Sequence, residues 1–262
     1  MKLSIVIPCY NAELYIKKCV ESILHLSHSE LELELIIMDG GSGDRTLEIL
    51  APYRDRIFKL ISEPDLGPAD AINKGFSSAS GDILTWLNAD DQYLPETLVR
   101  VHDYLESHPE KAFCFGYCPI VDEQGVEIRK GITRFKQLFY PFSCRFTFQC
   151  INYLSQPACF FRADAVHKAG KLRLDLKAAW DYEFLLRIWR QGKGGKIPQP
   201  PLAVFCWHPG SISGQHFKQQ FEEEFTCARE DAGKWSLQTF IHWFVKWGII
   251  GAYSLMTREH RK

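Results

Sequence analysis

Four short apolar runs, at residues 3–7, 33–38, 57–61 and 83–87, alternate with stretches whose apolar residues recur at helical spacing. This alternation constrains the fold more than any other feature. Short apolar runs rich in β-branched residues read as strands buried on both faces, and strands that alternate with helices pair in parallel. Leu14, Ile16, Val20, Ile23 and Leu24 mark a helix within residues 12–26, a second helix starts at residue 46, and DAINKGFSSASG gives a third with Gly81 as its stop. The expected fold class is α/β, a Rossmann-like, mostly parallel sheet flanked by helices, which holds ligands at the carboxyl ends of its strands.

Those ends carry Pro8, Tyr10 and Asn11 after the first strand, Asp39 after the second, Glu63 and Asp65 after the third, and Asp90 with Asp91 after the fourth. Asp and Asn are common in turns and helix caps, so any one of these residues has an ordinary explanation, but four loops together make a polar, acidic ring. The stretch WLNADDQYLP poses the question most sharply. Its paired acids have no basic neighbour in sequence, and they either cap the next helix or hold a cation.

The second half is less regular. Residues 113–121 read as a strand with 126–129 returning as a hairpin, and residues 180–190 as a helix closed by Gly192 with Phe184, Leu185, Ile188 and Trp189 on its apolar face. Residues 132–161 are rich in aromatics without clean periodicity, which suits either core or the wall of an acceptor site. With 31 Lys and Arg against 32 Asp and Glu, the chain has no overall field to attract nucleic acid. Its nine scattered cysteines include no C-x-x-C pair, so they read as reduced thiols of a cytosolic protein rather than as disulfides or a zinc site. The apolar run before Pro8 is too short for a signal peptide.

No Gly-rich phosphate loop of the familiar kinds follows the first strand. IPCYNAE offers instead an aromatic ring and short polar groups, which suit a nucleobase, and Asp39 could accept a hydrogen bond from a uracil imide or a ribose. A nucleoside diphosphate beside so many acids needs a divalent cation between them. Mg²⁺ or Mn²⁺ typically takes one or two carboxylates plus substrate phosphates, a task for Asp90 and Asp91.

The segments SIVIPCYNAELYI, IIMDGGSGDRTLEIL, SEPDLGPADAINKGFSSASGDILTWLNADD and WDYEFLLR, in this order, resemble the signatures of family 2 inverting glycosyltransferases of the GT-A fold, particularly those of bacterial exopolysaccharide and lipopolysaccharide synthesis. The resemblance implies a nucleotide-sugar donor, a UDP-sugar by expectation, and a glycan or polyprenol-linked acceptor. It divides residues 1–232 into a donor half, 1–112, and an acceptor half, 113–232. It also assigns residues: Pro8, Tyr10 and Asp39 to base and ribose, Asp65 and Lys74 to the donor site, Asp90 to ribose and diphosphate, Asp91 to the metal, and His208 in CWHPGSISG to the diphosphate and metal end. Asp181 stands where the family carries its general base, with helix capping as the alternative, and Arg187 pairs with a carboxylate or faces solvent.

Two departures stand out. Gly43 and Arg45 occupy positions where the pattern has Thr and Gly, with Arg45 read as a surface residue. Asn88 replaces the first acid of D-x-D and supplies no charge. The rival readings are a sugar nucleotidylyltransferase and an inactive binding module. Residues 233–262 form a tail whose stretch 235–256 is nearly long enough to cross a bilayer, but His242 and Lys246 interrupt it. Three Trp and the basic residues Lys234, Lys246, Arg258, Arg261 and Lys262 against one acid fit a peripheral amphipathic helix; a helix packed on the domain is the alternative.

Overall fold

The computed structural model describes residues 1–26 and 31–259; Arg261 and Lys262 of the tail lie outside them. The first half runs β1 (Leu3–Cys9), α1 (Ile16–Leu24), β2 (Leu33–Asp39), α2 (Thr46–Leu50), β3 (Lys59–Ser62), α3 (Pro68–Ser78), β4 (Ile83–Trp86), β5 (Gln92–Tyr93) and α4 (Thr97–Ser107). The middle follows with β6 (Lys111–Phe115), β7 (Ile120–Val121), β8 (Glu127–Ile128), α5 (Lys130–Gln137), α6 (Arg145–Cys150), β9 (Cys159–Arg162) and α7 (Ala163–Ala169). The chain closes with α8 (Trp180–Gln191), β10 (Lys193–Lys196), β11 (Ala203–Cys206), α9 (Ile212–Gln215), α10 (Phe217–Ala232) and α11 (Leu237–Glu259).

Seven strands form the main sheet in the order β10-β6-β9-β4-β1-β2-β3. Only β9 runs antiparallel to its neighbours, so the expected mostly parallel sheet is present. Alternate residues of β1 feed the two sides, Leu3, Ile5 and Ile7 one core cluster and Val6 the other, which is why the whole run is apolar. Helix α3 lies close on the sheet because Gly75 allows it: an added Cβ would sit 2.4 Å from a Val6 methyl. Gly75→Ala is expected to cost about 1–3 kcal/mol through overpacking, read as a thermal midpoint lowered by roughly 5 °C.

The strand expected over 113–121 is two strands. β6 ends at Phe115 in the main sheet, whereas β7 belongs to a small second sheet ordered β5-β11-β7-β8. Pro119 cannot donate to a ladder, and the chain changes sheets across Gly116–Pro119. The small sheet matters because β11 passes beneath the loop after β4. The first helix begins at Ile16 rather than residue 12, leaving Tyr15 on a turn at the edge of the site. The aromatics of 132–161 divide: Tyr140, Phe148, Tyr153, Phe160 and Phe161 are core, while Phe135, Phe142 and Phe146 are exposed.

The tail is not a detached segment, because α11 packs against α6 and α10. The two residues that interrupt its apolar run face inward. His242 Nδ1 lies 2.9 Å from the Gln149 carbonyl, and Lys246 Nζ pairs with Glu222 at 2.9 Å. No helix among the described residues is long and apolar enough to cross a membrane.

Candidate active site

The register of the main sheet sets Cys9, Asp39 and Ser62 side by side at the carboxyl ends of β1, β2 and β3. Asp39 is only 2% exposed. One of its oxygens accepts the Gly41 and Ser42 N–H groups at 3.2 and 3.0 Å and the Ser62 hydroxyl at 2.6 Å, and the other accepts the Ser42 hydroxyl. The carboxylate therefore shapes the loop after β2, and the base contact expected of it would require one of these bonds to be exchanged.

That loop is tied to the one after β1. Asn11, at φ 47°, receives the Gly43 N–H on its side chain and donates its own N–H to Ser42 Oγ, while Asp44 receives the N–H groups of Glu13 and Thr46. Asp44 thus stitches the two loops and closes the start of α2, and Arg45 turns outward to pair with Glu48, which accounts for the departure from the family pattern here. Pro8 is buried within β1, and Tyr10 stands 65% exposed at the rim. Asp65 reaches in from the third loop against Gly40, where a Cβ would meet its carboxylate at 2.8 Å. Burial raises the Asp65 pKa, opposed by the Gly67 N–H that its carboxylate accepts. Lys74 is neutralised locally by Glu63 at 3.0 Å and Asp70 at 3.3 Å. A phosphate contact of the kind expected for Lys74 would have to compete with these two carboxylates.

After β4 the two acids separate in role. Asp91 is 0% exposed; its oxygens accept the Cys206 N–H of β11 at 3.0 Å and the Asn88 amide at 3.2 Å. Burial, and then the adjacent Asp90, push its pKa well above the carboxylate range. Burial speaks against Asp91 as the metal ligand expected from the resemblance, since a dication needs an oxygen it can reach and Asp91 has none exposed. Asp91 caps nothing either, because α4 starts at Thr97 behind Glu96 with no side-chain cap. The structure also explains Asn88: beside a buried carboxylate, an amide donor is compatible where a second acid would repel. Removing the carboxylate leaves buried donors unpaired, so Asp91→Ala is expected to cost about 2–4 kcal/mol, measured by chemical denaturation.

Asp90 faces outward from the same turn. Its Oδ2 lies 3.1 Å from His208 Nε2, with both side chains partly accessible. The His208 ring stacks on Tyr15 at 4.6 Å, and the Tyr15 hydroxyl donates to Glu123 at 2.6 Å. The hydrogen bond with Asp90 raises the His208 pKa, against burial that lowers it. The neutralising partner missing from the local sequence therefore arrives 118 residues later, on the loop that follows β11. A carboxylate oxygen and an imidazole nitrogen, with phosphate oxygens completing the shell, are donors that fit Mn²⁺; Mg²⁺, which prefers oxygen, would rest on Asp90 and the phosphates.

Asp181 lies in the first turn of α8. Trp180 beside it packs on Trp86 of β4, with ring centroids 5.7 Å apart, which ties the start of α8 to the strand that leads to Asp90. The capping alternative fails: Ala179 is the cap residue and no side chain caps it, whereas Glu223 of α10 accepts the N–H groups of Lys177, Ala178 and Ala179 at 2.9–3.2 Å. Asp181 Oδ1 accepts the adjacent Tyr182 N–H at 2.7 Å. Burial raises its pKa, opposed by that N–H and by the charge of Lys136. Arg187 pairs with Glu183 of the same helix at 2.7 Å and donates to the Ala169 and Lys171 carbonyls, which ties α8 to the end of α7.

Sequence reasoning missed Tyr15, Lys136 and the loop at 152–156. Two buried polar atoms of that loop, Asn152 Oδ1 and Gln156 Oε1, have no partner among the described residues, and neither has the Trp86 indole N–H of β4. No spacing rule would have found them, because they come from three separate segments.

A family model described as glycosyl transferase family 2 matches residues 4–169. The glycosyltransferase EpsJ of Bacillus subtilis, itself uncharacterised, is 25% identical over 232 residues, 84% of this chain and 65% of EpsJ. The chain thus spans less than two thirds of that relative. The crystal structure of Staphylococcus aureus TarS 1–349 in complex with UDP-GlcNAc superposes with a TM-score of 0.70 at 18% identity, covering 88% of this chain and 66% of that one. The mannosyltransferase PcManGT of Pyrobaculum calidifontis, in complex with GDP-Man and Mn²⁺, gives a TM-score of 0.64 at 17% identity, covering 97% and 75%. At these identities the two structures establish the GT-A fold. The matched stretch begins in β1 and ends with α7, so it takes in the strands, the stitched loops and the Asp90–Asp91 turn: the chain belongs to glycosyl transferase family 2.

Proposed function

We propose that the protein is a metal-dependent inverting glycosyltransferase that moves a sugar from a nucleoside diphosphate, a UDP-sugar, to a hydroxyl of a glycan or polyprenol-linked acceptor in cell-surface polysaccharide synthesis. The observation that carries this reading is the pairing of Asp90 with His208 at the carboxyl end of β4, on a strand whose Trp86 supports the helix that presents Asp181.

In this reading Tyr10 and the loops joined by Asn11 and Asp44 receive the base and ribose, with Asp39 holding their shape. Asp90, with His208 beside it, holds the cation, and the bound cation stabilises charge on the departing diphosphate as a Lewis acid. Asp181 takes the proton of the acceptor hydroxyl on its carboxylate as the oxygen attacks the anomeric carbon from the side opposite the leaving group. A raised pKa suits that task, since a stronger base abstracts a hydroxyl proton more readily. The UDP-GlcNAc in TarS and the GDP-Man with Mn²⁺ in PcManGT support a nucleotide-sugar donor by analogy.

A nucleotidylyltransferase is disfavoured because the loop after β1 supplies Tyr10, Asn11 and Glu13 and no basic residue to hold the triphosphate that a sugar 1-phosphate would attack. The discriminating test is a thermal-shift screen of nucleotide sugars with and without Mn²⁺. One donor class is expected to raise the midpoint by several degrees, as a ligand at 100 times its Kd adds about 2.7 kcal/mol, and only with Mn²⁺. No stabilisation by any donor would overturn the reading. Stabilisation without hydrolysis or transfer would instead identify a binding module.

A further inference from the structure

Helix α11 is amphipathic in the inverted sense. Its buried side chains at the spacing 239, 242 and 246 are Thr, His and Lys, and its exposed ones include Phe240, Trp243, Phe244 and Trp247. Val245 packs on the core beside these polar residues, and the aromatics turned outward leave an apolar face of the helix uncovered among the described residues, the kind of patch that marks a partner surface. The neighbouring segment repeats the pattern, with Phe135, Leu138, Phe142 and Phe146 exposed along α5 to α6, and α6 is the element on which α11 packs. Of the 18 exposed large apolar side chains among the described residues, 10 fall within residues 135–146 and 235–247. They form a concentration, not a scatter.

Charge separates this face from the rest of a nearly neutral chain. Residues 128–163 contain six Lys or Arg and no Asp or Glu. Arg145 and Arg162 are engaged with Asp231 and with backbone carbonyls, while Lys130 and Arg134 of α5 and Lys234 ahead of α11 are exposed. We propose that the outward face of α11 and the α5–α6 segment together dock on an anionic lipid bilayer, the helix lying in the headgroup region with its Trp and Phe in the acyl boundary. Aromatic side chains flanked by basic ones match that interface, whose two chemistries are apolar depth and negative headgroups. A second copy of the chain fits less well, because a self-complementary contact would bring the same cations face to face. The inference rests on the reading above only for the idea that a lipid-linked acceptor waits at the membrane, and it is tested without donor or acceptor.

The test is co-sedimentation of the full chain with vesicles of phosphatidylcholine alone and with about one third phosphatidylglycerol. Expected are binding to the anionic vesicles, weak binding to the neutral ones, and a loss of at least about tenfold at roughly 0.5 M salt. Lys130→Ala with Arg134→Ala should lower partitioning by about 25-fold, from about 1 kcal/mol per basic residue. Trp243→Ser with Trp247→Ser should lower it by at least about tenfold. All four positions are exposed, and unchanged thermal midpoints would confirm folded variants. Absence of binding to anionic vesicles, or equal binding to both kinds, would overturn the proposal. So would a dimer in light scattering that dissociates on the Trp substitutions. UDP binding measured in parallel separates this outcome from failure of the transferase reading.

Discussion

Asp181→Asn is expected to lower glycosyl transfer by about 10²–10⁴-fold, the usual contribution of a positioned general base, while leaving Mn²⁺-dependent UDP binding by calorimetry within about twofold of wild type. The amide keeps the size of the side chain and can still accept the Tyr182 N–H, so α8 stays in place and the variant removes only the proton acceptor. Glu223, not Asp181, caps the approach to α8, so the substitution carries no capping penalty. The wild-type pH profile gives an independent check. Asp181 must be ionised to act, and its pKa is raised by burial. The rate should therefore fall, as pH drops, at a pH above the ordinary aspartate value, and this acid limb should vanish from the residual activity of Asp181→Asn. Full activity in the variant would remove Asp181 from the mechanism.

The part of the site that was legible in the sequence is the part the strands impose. Apolar runs ending on Asp39 and on Asp90–Asp91 declare the sheet and its carboxyl edge, because a strand buried on both faces can place polar groups only past its end. What two adjacent acids at one such end would do was not legible. Period-two alternation sends neighbours to opposite sides, and which side is core depends on what lies beneath. Here β11 lies beneath, arriving from the other half of the chain to give Asp91 the Cys206 N–H. The same loop brings His208 to Asp90, so the pair that best suits a cation was divided between segments no local pattern connects. How the tail packs was not legible for a related reason: Lys246 interrupts an apolar run, and only the position of Glu222 on α10 shows that the break faces protein.

These opposite environments make the two acids separable by experiment. Asp90→Ala removes the accessible carboxylate and is expected to abolish the Mn²⁺ dependence of UDP binding and to lower kcat/KM for the donor by about 10²–10³-fold, the scale of losing one preorganised electrostatic contact to a leaving group. Its thermal midpoint should fall less than that of Asp91→Ala, because Asp90 is partly accessible to water that can replace its partner, whereas Asp91 is fully buried. Asp91→Ala should show the reverse order of effects: a destabilised fold first, with metal affinity per folded molecule reduced only indirectly. Denaturation and Mn²⁺ titration on both variants therefore decide the assignment. If Asp91→Ala retained its stability and lost the metal while Asp90→Ala kept it, the cation would belong to Asp91, and the buried position of that carboxylate would have to open on donor binding. If Asp90→Ala alone loses the metal, the turn after β4 divides its labour as its burial predicts, one acid for the fold and one for the substrate.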